Sequence, residues 1–287
     1  MLIDLQLHST YSDGYLTPTA VARFLKKNKV RAAALTDHNT VSGLSEFFKA
    51  CKQLKIKTIT GIELYVRDSS SRFNILWYNF DSVRPELHDL LRNSQVRRRR
   101  SIRSILNKLV DAGFEMNVNA TLDKYNHYVP VNQMVSELIG DKNNFKKIQK
   151  ELKTNNPREE KIIKYYFRNK KFGILRETYI NFDKIIKLRK IIGGQLILCH
   201  PAKYGNLRKD KIIRLKKAGL DGVEVLSPHH SYGAIVYIQH LAHKFDLIET
   251  GGSDFHRYEG HDMPIQSSSN YFQIESKYLK DVKKIIG

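Results

Sequence analysis

Short apolar runs that stop on polar clusters recur along this chain. Asp4-Leu5-Gln6-Leu7 stops at His8-Ser9-Thr10-Tyr11-Ser12-Asp13-Gly14, and Ala34-Leu35 stops at Thr36-Asp37-His38-Asn39-Thr40. Residues 58–62 lead to Glu63, 196–199 to His200-Pro201, and 248–251 to Gly252-Ser253-Asp254-Phe255-His256. Buried parallel strands read this way, with apolar residues entering the core and polar residues at the carboxyl ends facing a pocket. Between the runs the period changes. Thr17-Pro18-Thr19 reads as an N-cap followed by Pro at the first helical position, and Ala20, Val21, Phe24 and Leu25 form a stripe behind it. Residues 42–54 predict a second helix with Leu44, Phe47 and Phe48 inward, and residues 74–78 a fourth apolar run. Strands alternating with helices predict a parallel α/β architecture closed into a barrel.

Residues 84–112 predict one long helix, from Leu87, Leu90 and Leu91 to Ile102, Ile105, Leu106 and Leu109, stopped at Gly113. The alternation is then lost from about 116 to 178, where helical patterns at 131–139, 145–152 and 161–167 are separated by polar spacers. These residues read as a helical insertion or subdomain, 116–178, in a barrel formed by 1–115 and 179–287. The α/β pattern resumes with a helix over 182–192, strands over 195–199 and 222–226, helices over 207–218 and 231–245, and a strand over 247–251. The segment 271–286 is expected to close the barrel.

A length of 287 residues suits one barrel or one domain with an insertion about as well as two domains. No apolar run reaches the roughly 20 residues of a membrane helix, and the N-terminus does not read as a signal peptide. The two cysteines, Cys51 and Cys199, give no disulfide framework, so a reducing, cytoplasmic location is expected. Charge changes the picture more. Lys+Arg 49 against Asp+Glu 29 gives +20, which attracts polyanions such as nucleic acid or nucleotides. The alternative is lysine dispersed as ordinary solvated surface. Only the arginines cluster, at Arg97-Arg98-Arg99-Arg100 and Arg103, where Arg97, Arg100 and Arg103 share a helix face able to meet phosphates.

The strand ends deliver His8, Asp13, His38, Glu63, His200, Asp254 and His256. Imidazole and carboxylate on a rigid scaffold suit a borderline divalent cation, and several such cations can activate a water and neutralise a phosphate ester. Lys203 and the loop carrying His229 and His230 lie at further strand ends.

In that order, Asp4-Leu5-x-x-His8-Ser9-x-x-Ser12-Asp13-Gly14, Leu35-Thr36-Asp37-His38-Asn39-Thr40, Gly61-Ile62-Glu63, His200-Pro201 and Gly252-x-Asp254-x-His256 resemble the PHP (polymerase and histidinol phosphatase) superfamily. The resemblance covers roughly residues 2–110 and 180–258, and is strongest to stand-alone phosphoesterases that dephosphorylate nucleoside 3′,5′-bisphosphates or trim RNA 5′ ends. It implies a distorted seven-stranded (β/α) barrel with one to three Mn, Fe or Zn ions. Carried over, His8, Glu63 and Asp254 would serve one ion, Asp13, His38 and His256 a second, and Glu63 with His200 a third. Asp254 and His38 would also take part in catalysis. The loop carrying His229 and His230 borders the pocket in the superfamily, so His230 and, with it, Lys203 would hold substrate; Arg97 and Arg100 are candidates for the same task from their shared helix face alone. Two positions depart from the pattern: Gln6 and Asn74 stand where the superfamily has histidine. Two readings follow. One is a metal-dependent phosphoesterase acting on a phosphomonoester or a nucleotide or oligonucleotide ester. The other is a barrel with a degenerate metal site that binds nucleic acid or protein.

Overall fold

The computed structural model describes residues 1–69, 71–203, 207–257 and 273–287. Two compact units are present, one formed by Met1–Leu90 with Tyr179–Gly287 and the other by Leu91–Thr178.

In the first unit the strands β1 (Leu2–Asp4), β2 (Ala32–Leu35), β3 (Lys57–Arg67), β4 (Arg72–Tyr78), β5 (Gln195–Leu198), β6 (Gly222–Leu226) and β7 (Ile248–Gly251) follow one another in a single sheet path. Leu7, just beyond β1, bridges Phe255, just beyond β7, in parallel, and Leu5 N–H donates to Gly251 O at 3.3 Å. The path thereby returns on itself, giving a distorted (β/α) barrel of seven strands.

Closure by Leu7 and Phe255 differs from the expectation placed on 271–286. Tyr271 and Phe272 lie outside the described residues, and Ile274–Glu275 pairs antiparallel with β1 at Leu2 and Ile3, flanking the barrel. The second difference is β4. It runs antiparallel to both β3 and β5, because Asp68 and Ser71 turn the chain straight back: Ser71 N–H donates to Asp68 Oδ1 at 2.7 Å and Asp68 N–H to Ser71 O at 3.0 Å. An apolar run looks the same in either direction.

Helices cover the sheet as their sequences dictate. In α1 (Pro18–Lys27) the Thr17 hydroxyl accepts from Ala20 N–H at 3.2 Å, and Val21, Ala22 and Leu25 are buried. In α2 (Leu44–Leu54), Leu44, Phe47, Ala50 and Cys51 are buried. Together they form an apolar cluster with Leu7, Ala33, Leu35 and Phe255, which anchors the strand ends carrying the polar clusters.

The long helix α3 (Pro85–Asp111) begins in the first unit and continues in the second, so the division falls at Leu91, inside the helix, whereas the loss of alternation suggested 116. The reason is packing. Ile102, Ile105, Leu106 and Leu109 belong to a separate core with Phe114, Leu122, Met134, Leu138, Ile148, Tyr166 and Phe167. That core takes in α4 (Val118–Asp123), α5 (Val131–Gly140), α6 (Lys142–Leu152) and the turns Glu159–Ile162 and Ile163–Phe167. Among the described residues, no helix is long and apolar enough to cross a membrane.

Candidate metal centre

The strand ends are locked in register before any ligand is needed. Thr36 N–H donates to Leu7 O at 2.8 Å and His8 N–H to Phe255 O at 2.9 Å. His8 is thereby set between two neighbours, with ring centroids 4.6 Å from His38 and 4.2 Å from His256. A bridge pairs His38 with Glu63, and Asn39 N–H donates to Glu63 O at 2.9 Å. Asp37, which the sequence motif contains but gives no role, holds the first loop. Its carboxylate accepts from Ser9 N–H at 2.7 Å, from Ser9 Oγ at 2.6 Å and from Ser12 Oγ at 2.6 Å. Asp4 does the same for the last loop, accepting from Ser253 N–H at 2.9 Å. His200 and Asp254 take positive φ, +24° and +50°. Non-glycine residues hold such angles at a cost of roughly 1–3 kcal/mol and concentrate at functional sites.

Three groups of donor atoms result, each with its atoms within 4.8 Å of one another: His8, Asp13, His38 and His256; His8, Glu63 and Asp254; and Glu63, Cys199 and His200. His8 Nε2 lies 3.2 Å from Glu63 Oε2 and 3.1 Å from Asp254 Oδ1. Asp13 meets His256 Nε2 at 3.3 Å and His38 Nε2 at 3.6 Å. His200 Nε2 lies 3.3 Å from Glu63 Oε1. The seven residues singled out from the strand ends are thus brought together. His8, Glu63, His200 and Asp254 are almost wholly buried, while the side chains of Asp13 and His256 keep 28% and 29% of their surface and form an open side.

The charges fit a cation. Burial alone would raise the Glu63 carboxyl, but His38, His200 and His8 around it outweigh burial and hold it well below its usual range. Asp254 is likewise pushed up by burial and pulled further down by Lys203, His256, His229 and His8. Asp13 is lowered against its own burial by His256 and His38. The lowering of all three depends on positive charge beside them, supplied here by Lys203 and by the imidazoles. Among these, His8 is raised well above its usual range, against its own burial, by Asp254 and Glu63; a bound cation would supply the same charge. His8 Nε2 faces two of these carboxylates and is hydrogen-bonded to neither. A single imidazole proton can serve both only as a bent, shared contact, whereas ligands converging on a shared ion have this arrangement without that compromise. Glu224 differs: burial, with Asp254 and Glu63 nearby, pushes it well above the carboxylate range.

The remaining sequence candidates separate. Lys203 Nζ reaches Asp254 Oδ2 at 3.3 Å. In the pair after β6 the roles are reversed from expectation. His230 is buried at 1% exposure with Nδ1 donating to Val225 O at 2.8 Å, so its ring belongs to the interior, whereas His229 Nε2 lies 2.5 Å from Asp254 Oδ2. The turn joining His230 N–H to Ser227 O at 3.0 Å decides which of the two points in, and sequence alone does not reveal it. Arg97 and Arg100 are exposed on α3 in the second unit. His261, unassigned from the sequence, lies outside the described residues.

The departures have a physical meaning. Gln6 Nε2 donates to Glu63 Oε2 at 2.9 Å and Asn74 Nδ2 to Glu63 Oε1 at 2.6 Å. Two amides thus stand on the two oxygens of one carboxylate.

The chain is similar to known proteins over most of its length. A 5′-3′ exoribonuclease of Haemophilus influenzae is 27% identical over 88% of this chain and 89% of its own. A 3′,5′-nucleoside bisphosphate phosphatase of Chromobacterium violaceum is 25% identical over 97% and 98%. Among solved structures, a Bifidobacterium adolescentis protein assigned as a metal-dependent phosphoesterase superposes with a TM-score of 0.74 at 18% identity, over 99% of this chain and 94% of that one. The PHP domain family matches residues 4–189, and this chain belongs to the PHP domain family.

Proposed function

We propose that this protein is a metal-dependent phosphoesterase whose divalent ions, Mn, Fe or Zn, are held by His8, Asp13, His38, Glu63, His200, Asp254 and His256, and whose substrate is a nucleotide or short nucleic acid. The observation that carries it is the convergence of three ionised carboxylates and four imidazoles on one partly open site. Of the relatives that span most of the chain, two are named for activity on RNA or a nucleoside bisphosphate and a third for a phosphoribosyl cyclic phosphate, so all three are phosphoesterases and two favour a nucleotide or nucleic-acid substrate. Bound there, divalent cations supply Lewis acidity, a low-pKa water and neutralisation of phosphate charge.

The chain's own residues divide the other tasks. Asp254, held in its ionised form by Lys203, His256, His229 and His8 around it, would anchor an ion and orient His229 and Lys203. His229, 29% exposed and fixed through Nε2 on Asp254 Oδ2, is the side chain we assign to the leaving oxygen. Lys203, 25% exposed on the same oxygen, offers an ammonium to a phosphate. Asp37 and Asp4 keep the two ligand loops in place.

An aromatic strip leads outward from the site. Tyr65 stacks on His38 at 4.4 Å, Tyr179 meets Tyr65 edge-on at 6.1 Å, and the Arg72 guanidinium lies 5.0 Å over Tyr179. Half-buried rings beside a guanidinium suit a nucleobase followed by a phosphate. Base stacking is worth roughly 1–3 kcal/mol by alanine substitution. Tyr179→Ala is therefore expected to raise KM for a 5′-phosphorylated trinucleotide by about tenfold and to leave hydrolysis of p-nitrophenyl phosphate unchanged. Equal effects on both substrates, or on neither, would remove the strip from the substrate path.

A further inference from the structure

Residues 91–178, the second unit, carry 20 of the 49 Lys and Arg of the chain but only 9 of its 29 Asp and Glu. Less than a third of the length thus holds more than half of the net +20. One helix sets part of that excess in a row. In α6, Lys142, Lys146 and Lys150 recur at every fourth position, and Lys153 follows as the C-cap. All four are exposed, and the helical rise places the first three about 6 Å apart along one face. The opposite face meets the core of the unit, where Asn144 and Ile148 are buried and Leu152 packs. Lys147 turns away from the row, to Ala112 O and the Phe114 ring.

The needs of the helix do not explain the row. Like charges four residues apart destabilise a helix. Lys142 also stands in a first turn that holds no acidic residue, where the helix dipole disfavours a cation. The nearby acids are occupied elsewhere. Asp141 accepts from the N–H groups of Asn143 and Asn144 at 2.9 Å each, Glu115 from Asn143 Nδ2 at 3.0 Å, and Glu151 from Tyr166 Oη at 2.9 Å. Among the described residues, none of the four lysines pairs with a carboxylate.

We propose that this lysine face of α6 binds the phosphodiester backbone of single-stranded RNA. The inference deepens the nucleic-acid reading above and rests on it for the choice of partner, since phosphate contacts carry no sequence information. Evenly spaced cations match the evenly spaced charges of an extended strand, whereas a mononucleotide has too few phosphates to meet them all. An anionic membrane fits less well. A helix lying on lipid inserts its apolar face, and that face of α6 is already in a core.

Anisotropy of a fluorescent oligouridylate of about twelve nucleotides measures this binding against salt, in chelator so that the probe is not hydrolysed. For a single strand, each phosphate neutralised contributes about 0.7 to the slope of log K against log salt. Lys142→Gln, Lys146→Gln, Lys150→Gln and Lys153→Gln in one chain are expected to make the slope shallower by about 3 and to weaken binding at about 100 mM salt by at least about tenfold. Lys27→Gln, Lys52→Gln, Lys184→Gln and Lys190→Gln remove the same charge from exposed positions of the first unit, and should change the slope by less than about 1. Equal losses in the two variants would reduce the effect to net charge and overturn the proposal. A wild-type slope shallower than about 2 would overturn it without any variant. So would a wild-type chain that sediments with phosphatidylserine vesicles through these lysines and leaves the RNA free. Binding through α6 by a chain that hydrolyses no phosphate ester would keep this surface and remove the phosphoesterase reading. An active chain whose RNA binding ignores the α6 substitutions would do the opposite.

Discussion

Glu63→Gln is expected to lower kcat on a phosphomonoester by at least about a thousandfold, or roughly 4 kcal/mol of transition-state stabilisation. Elemental analysis should also show most of the bound divalent metal gone. The size of the effect follows from where Glu63 stands. It belongs to two of the three donor groups, with Oε2 facing His8 and Oε1 facing His200 and Cys199. The substitution keeps shape and volume, so loss of packing does not explain a large effect. It removes the charge and sets an NH2 against the amides of Gln6 and Asn74 or against His200. A chain retaining kcat within about tenfold, with its metal still bound, would show that Glu63 is not a ligand of the working ions.

Arg98→Ala is expected to cost about 3 kcal/mol of stability in the second unit, the lower end of the range for breaking a buried ion pair. Arg98 is 1% exposed. Its Nε donates to Val129 O at 2.6 Å, its guanidinium pairs with Glu177 and lies 4.2 Å over the Tyr128 ring, and Tyr128 Oη donates to Glu177 Oε2 at 3.2 Å. Removing the cation strands the Val129 carbonyl and leaves Glu177 without its charge partner, although the Glu177 side chain, 25% exposed, regains some water. Arg100→Ala, two residues away on the exposed side of α3, should change stability by no more than about 0.5 kcal/mol. Urea unfolding of both variants measures this contrast, and equal destabilisation would contradict it.

The arginine run shows where sequence reading stops. Helical spacing identifies which arginines share a face, but which face meets a core depends on Val129, Tyr128 and Glu177, some 30 to 80 residues away. The residues that converge at the candidate metal centre were legible for a local reason. Each ends a short apolar run, and closing the barrel brings strand ends together regardless of the loops between them. Direction was not legible in β4, whose reversal depends on one turn at Asp68 and Ser71. The division between His229 and His230 was hidden similarly, since adjacent residues differ only in what the turn does with them. Gln6 and Asn74 read as lost ligands; the structure adds that both donate to Glu63, which no spacing reveals.

The central claim is that hydrolysis depends on metal held by these strand ends. Its most direct test is turnover of a phosphomonoester and of a phosphodiester by chelator-stripped protein as Mn(II) or Zn(II) is added back, with bound metal counted at each step. Activity should be absent from the stripped chain and should return in proportion to metal bound. Turnover that survives stripping, or full metal occupancy without hydrolysis of either ester, would contradict the account.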